Sequence, residues 1–348
     1  MGLLSFFMTH TSIIELDDPT VSHIMSTYVV DLALRHEYLL HMILSVAALH
    51  KATVRDRSSN EYEALLDASA THQSISATLF RQVVRSVDKD TAESVFLYTT
   101  FVSLYIYASH NPRLRHKNGT DFEAHLTRSS WLRTLRGTVT LLGAHSIGDW
   151  LDDSPLRVLI PVRGPFTPPL PEDDHWAQEI TTQLQLIDIE LVSGANPTAH
   201  DDVYTTTLGY LLECIAQMTT VKWLQSNLQD SLARQMAMEA DVQYRPSSFC
   251  LSWIFRFPAD FLDLLDAGEP EPLVLLAHFG VCIHWLPSNW CLEGFGRTIF
   301  DACDSQLKHI ATVSRGHSRP RARKWMEWMN WPRNMIQRMD TERGIGTS

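Results

Sequence analysis

The chain has 348 residues, 45% hydrophobic and 20% charged, with 15 glycines and 16 prolines; this excludes a disordered or fibrous polymer and is enough to bury a sizeable core. The net charge is −11, so the surface repels phosphate backbones, and direct nucleic-acid binding by this chain is not expected. The five cysteines, Cys214, Cys250, Cys282, Cys291 and Cys303, are odd in number and lack C-x-x-C spacing, which excludes a disulfide framework and a sequence-readable zinc module.

The first ten residues, MGLLSFFMTH, are apolar but have no basic flank, and Phe6 stands where myristoylation needs Ser or Thr; neither a signal peptide nor a lipid anchor is expected. No apolar run approaches the roughly 18 residues of a membrane span. The expected location is therefore intracellular, nuclear or cytoplasmic.

Apolar residues recur every three or four positions near 20–35, 37–54, 60–86, 91–109 and 121–143, which predicts helices. Asp18-Pro19 and Asp90 suit helix starts. LRVLIPV (156–162) is the best strand candidate, but prolines demote it. Prolines at 155, 161, 165, 168, 169 and 171 predict an extended connector over 155–172. Helices are then expected near 173–193, 200–243, 258–267, 270–286 and 291–313, with a polar tail over 340–348. The fold class is all-α: an N-terminal helical half (1–154), the connector, and a C-terminal helical half (173–339).

Two buried-looking helices carry histidines. In YLLHMILSVAALHKA (38–52), His41 and His50 are nine residues apart, and at about 100° per residue they face opposite ways, so they cannot share a metal. In PEPLVLLAHFGVCIHW (270–285), His278 and His284 also diverge, whereas His278 and Cys282 share a face. No further ligand stands at helical spacing, so metal binding is not expected. Around this helix, Trp253, Phe255, Phe257, Phe261, Phe279, Trp285, Trp290 and Phe295 crowd together with Gly280, Gly294 and Gly296. They form either an aromatic core or the wall of a cavity for a flat lipophile.

Nucleophile elbows, phosphate-binding glycine loops, dinucleotide fingerprints and H-E-x-x-H are absent from the sequence. The paired aspartates Asp17-Asp18, Asp152-Asp153, Asp173-Asp174 and Asp201-Asp202 sit near helix starts, where capping accounts for them. The basic run SRGHSRPRARKW (314–325) reads as a solvated connector.

Several stretches in order resemble the regulatory region of fungal zinc-cluster transcription factors, the fungal-specific transcription factor domain, in the branch of the sterol uptake control regulators. They are FFMTHTSIIELDDP (6–19), YLLHMILSVAALHKA, EYEALLDASATHQSISA (61–77), SSWLRTLRGTVTLL (129–142), FRFPADFLDLLDAGEPEPLVLLAHFGVCIHW (255–285), NWCLEGFGRTIFDA (289–302) and WMEWMNWP (325–332). The resemblance implies an all-helical regulatory domain with a hydrophobic ligand between helices of its C-terminal half. Trp253, Phe255, Phe257, Phe279, Trp285, Trp290 and Phe295 then become candidate ligand-binding residues. The family's six-cysteine zinc cluster has no counterpart before Cys214, so a regulator without its own DNA-reading module is expected, acting through a hydrophobic small molecule, a protein partner or a homodimer.

An enzyme is the alternative: the same pocket would orient a terpenoid- or polyketide-like molecule for a cyclisation, pericyclic or isomerisation step without a cofactor. His278, Cys282 and His284 are then the candidate catalytic residues, because they punctuate an otherwise apolar helix. A carrier that leaves its guest unchanged is the third reading.

Overall fold

A computed structural model describes residues 2–13, 19–114, 125–145, 147–159, 175–193, 200–226, 246–286, 289–313 and 319–344. Among them every regular element is a helix, as the sequence pattern predicts. Two compact units divide the chain: unit 1 is Met1–Thr120, Thr134–Ile160 and Ser288–Phe295, and unit 2 is Asp121–Arg133, Pro161–Pro287 and Gly296–Ser348.

Unit 1 is built on α4 (Glu37–Thr53), which packs on α1 (Leu3–Thr9), α3 (Tyr28–Arg35), α5 (Asn60–Val83) and α6 (Ala92–Ser109). The predicted 20–35 helix is two, α2 (Pro19–Ser26) and α3, which meet at Thr27, where φ is −117° and the hydroxyl turns back onto His23 O at 2.6 Å while the backbone bonds Thr27 N–His23 O and Asp31 N–Thr27 O are kept. Small hydroxyls join α4 to α5: Ser45 Oγ donates to Ser69 O at 2.8 Å, and Ser69 Oγ returns the bond to Ser45 O at 2.9 Å. Side chains this short let the two backbones approach closely. α5 starts on a Ser59 cap, whose oxygen accepts from Tyr62 N at 3.1 Å. Before α6 the N-cap position is Thr91, not Asp90; Asp88 and Thr91 each accept the other's backbone N–H and close the turn that leads into the helix.

α7 (Ser130–Ala144) and a single turn, α8 (Ile147–Trp150), follow. The segment 155–159 is neither strand nor extended connector: Pro155–Leu159 is a 3₁₀ turn with Leu156 buried. The rest of the proline-rich stretch, the Asp18 cap, Asp173-Asp174, the 227–243 part of a predicted helix and residues 314–318 lie outside the described residues.

Unit 2 contains α9 (His175–Ser193), α10 (Asp201–Ser226), α11 (Pro246–Arg256), α12 (Ala259–Asp266), α13 (Pro270–Trp285), α14 (Phe295–Val313, whose first residue belongs to unit 1), α15 (Arg319–Trp328) and α16 (Asn330–Glu342). α13 is the central element, in contact with α10, α11, α12, α15 and α16. Its start is written in the sequence. Gly268, at φ 78°, closes α12 with the N–H of Glu269 on Leu264 O and its own N–H on Leu265 O, and Pro270 opens α13. Among the described residues no helix is long and apolar enough to cross a membrane.

Candidate functional site

Fifteen of the sixteen residues of α13 are buried, from Pro270 to His284. A helix apolar on all sides has no solvent face, so neighbours must cover it completely; each fully buried Leu, Ile, Val or Phe stabilises the fold by about 1.5–3 kcal/mol. Its polar groups therefore sit in a dry interior, and each must be matched or left costly.

His278 is fully buried. Its Nδ1 lies 2.8 Å from Val274 O, one turn back, and a carbonyl only accepts, so Nδ1 carries the proton. Burial pushes its pKa down to about 4, with the Val274 bond opposing, so the ring is neutral near pH 7. Nε2 is then a lone-pair acceptor, and it is buried without a partner among the described residues. The ring lies parallel to Trp331, with centroids 5.7 Å apart.

His284 is held differently. Its Nε2–H donates to Asp340 Oδ1 at 3.0 Å, and the other oxygen of Asp340 accepts from Arg297. Arg297 Nε also donates to Asp301 at 3.1 Å. Burial lowers the His284 pKa, helped by the positive charge of Arg343 and opposed by Asp340. α16 runs past Met339, and Asp340, expected in a polar tail, is 2% exposed. Cys282 is also buried, and desolvation pushes its thiol well up, so it is a neutral SH and a poor nucleophile. Cys214 and Cys250 are close enough to raise it or be raised by it electrostatically, yet among the described residues no group of three His, Cys, Asp or Glu side chains is placed to hold a metal ion.

The aromatic residues separate into distinct groups. Trp253, Phe257, Phe261 and Phe279 come together, with Trp253–Phe279 centroids at 4.5 Å and Phe257–Phe261 at 4.8 Å. The indole N–H of Trp253 donates to Thr207 O at 3.0 Å. These four rings are 0–1% exposed and touch one another, as packed core rings do. Phe255 is half-buried on the same helix, and Trp285, also half-buried, stacks on Trp176 at 4.1 Å. Trp290 and Phe295 belong to unit 1 instead: Trp290 stacks on His50 at 4.3 Å, and Phe295 packs on Tyr107 and His110.

One constellation was missed in the sequence. In WMEWMNW, every third residue is tryptophan, and each indole N–H donates to a glutamate: Trp325 to Glu271 at 3.1 Å, Trp328 to Glu190 at 2.5 Å and Trp331 to Glu179 at 3.0 Å. These bonds fasten α15 and α16 to α9 and α13. The i, i+3, i+6 spacing was the available signal, since it places all three indoles along one side of a helical segment.

Compared with known proteins, the chain matches no protein-family model and no curated protein.

Proposed function

We propose that these 348 residues are the ligand-sensing part of a transcriptional regulator of the fungal-specific transcription factor domain kind, with unit 2 binding a hydrophobic, sterol- or terpenoid-like molecule against α13. The supporting observation is the character of α13: a fully covered apolar helix that nevertheless holds a neutral histidine with a bare acceptor nitrogen. A helix serving only as core would gain by carrying leucine there. The stretches on which the family resemblance rests also fold as main elements, α4 in unit 1 and α12 and α13 in unit 2. On this reading the chain works in the nucleus in the control of secondary metabolism, and its −11 charge leaves DNA contact to other segments or to a protein partner.

Purified protein, extracted with organic solvent and analysed by mass spectrometry, should yield a lipophile in stoichiometric amount. Deletion of the gene should alter transcript levels. Intact transcripts together with accumulation of an uncyclised metabolite would instead support an enzyme.

The enzyme reading is favoured by the pairing of His284 with Asp340, which orients a neutral imidazole as general bases are oriented. Unit 2 would then fold a terpenoid- or polyketide-like substrate for cyclisation or a pericyclic step, with His278 and His284 accepting hydrogen bonds or protons. Alanine at His278, Cys282 or His284 would lower turnover; unchanged turnover in all three ends that reading.

A further inference from the structure

His41 on α4 and His72 on α5 meet in unit 1, with their Nδ1 atoms 2.8 Å apart and their ring centroids 4.9 Å apart. Two like atoms that face each other must divide the roles: one carries the proton and the other a lone pair. Glu37 decides which. Its carboxylate lies 3.9 Å from His41 Nε2, one turn back on α4, and a negative charge there favours the tautomer with the proton on Nε2 and the lone pair on Nδ1. A carboxylate behind the ring and a lone pair in front is how proteins present histidine to a metal.

The backbones that carry the two rings are tied on both sides of the pair. Towards the end of α4, Ser45 Oγ donates to Ser69 O at 2.8 Å and Ser69 Oγ to Ser45 O at 2.9 Å. Towards its start, Ser76 Oγ donates to Tyr38 O at 2.5 Å. Rings held between two such ties are placed on rigid elements, as a binding site requires. The pair is not sealed from solvent: the His41 side chain is 20% exposed and His72 is half-buried.

We propose that His41 Nδ1 and His72 Nδ1 together bind one divalent transition-metal ion of the copper(II), nickel(II) or zinc class, with water in the remaining positions and Glu37 orienting His41. Two metal–nitrogen bonds of about 2.0–2.1 Å at a near-tetrahedral angle set the nitrogens about 3.3 Å apart. The rings therefore open by about half an ångström, which side-chain rotation supplies with the helices in place. On binding, the His72 proton leaves Nδ1 and is replaced from water at Nε2, so the ring stays neutral. Burial, with His41 beside it, lowers the pKa of His72 and keeps that ring unprotonated at neutral pH. Imidazole nitrogens select these ions over magnesium and calcium, which take oxygen ligands. Bound only by the folded chain, the ion would clip α4 to α5 and stabilise unit 1. The proposal does not depend on the lipophile reading of unit 2.

The test titrates the full chain with copper(II), nickel(II) and zinc salts by calorimetry, with magnesium as the control ion. Copper added below stoichiometry should give an electron paramagnetic resonance spectrum with two coupled imidazole nitrogens, and magnesium should give no heat. His41→Ala and His72→Ala, each shown to be folded by circular dichroism, should weaken binding by at least about tenfold and remove the two-nitrogen signature. His309→Ala, at an exposed histidine on α14, should leave both unchanged. Without any substitution, the ¹⁵N resonances of His41 and His72 Nδ1 should shift on adding zinc, and both rings should become the Nε2–H tautomer. Equal affinity in wild type and the two alanine variants, zinc-induced shifts confined to other histidines, or no binding of any of the three ions overturns the proposal.

Discussion

His284 Nε2 stands 3.0 Å from Asp340 Oδ1, and both side chains are at most 5% exposed. The pair ties the end of α13 to α16, and through Arg297 to α14. Replacing Asp340 by alanine leaves the imidazole N–H without its acceptor in a dry site and frees one end of Arg297. The expected loss is about 3 kcal/mol, read from the urea unfolding midpoint, whereas Asp340→Asn keeps an acceptor and should lose about half as much.

Acid should destabilise the protein before carboxylate chemistry accounts for it. Burial lowers His278 and His50 from the ordinary 6.5 to about 4, with nearby His10 adding to the effect on His50. Both folded-state values are depressed, so the unfolded chain binds more protons. Stability is therefore complete above pH 6.5 and is lost as pH falls towards 4. Each histidine should contribute up to about 3 kcal/mol of that loss. Unfolding free energies measured from pH 7 to 4 should fall steeply for wild type and less steeply for His278→Leu.

Two glycines should respond oppositely to alanine. A Cβ at Gly296 would stand 2.3 Å from Gly280 O and 2.4 Å from the backbone N of His284, so atoms of two helices would have to part. Gly137, within α7, has nothing within 4 Å of that position. Gly296→Ala should cost about 3 kcal/mol or prevent folding, and Gly137→Ala should gain about 0.5–1 kcal/mol, both measurable by thermal unfolding.

The tryptophan–glutamate bonds predict a local loosening. Glu190 accepts from Trp328 and from Lys324, both at 2.5 Å. Glu190→Ala should cost about 1–2 kcal/mol and accelerate amide exchange over α15, as read by hydrogen–deuterium exchange, with unit 1 unaffected.

The all-helical class and most helix limits were legible because the apolar period is strong: 37–54, 91–109 and 270–286 correspond to α4, α6 and α13 within a residue or two. α1, α11, α15 and α16 were not. α15 and α16 are arginine-rich and polar in sequence, and their apolar positions are mainly tryptophan and methionine. Their burial depends on partners remote in the chain, such as Glu179, Glu190 and Glu271. Asp340 was illegible for the same reason, since a lone aspartate near a terminus reads as solvated until His284 and Arg297 meet it. The seven candidate ligand-binding aromatics are close in sequence, but chain proximity does not fix the packing partner, and Trp290 and Phe295 go to His50 and Tyr107. For His278 the sequence showed a polar residue on an apolar helix. The lone pair at Nε2 needed the position of Val274 O to be recognised.

The most direct test of a lipophile held against α13 is photoaffinity labelling of the intact protein with a diazirine-bearing farnesol or cholesterol, followed by peptide mapping. The account predicts label on residues 270–285 and 330–342 that excess unmodified alcohol removes. Label confined to unit 1, or label in unit 2 that excess alcohol leaves in place, would contradict it.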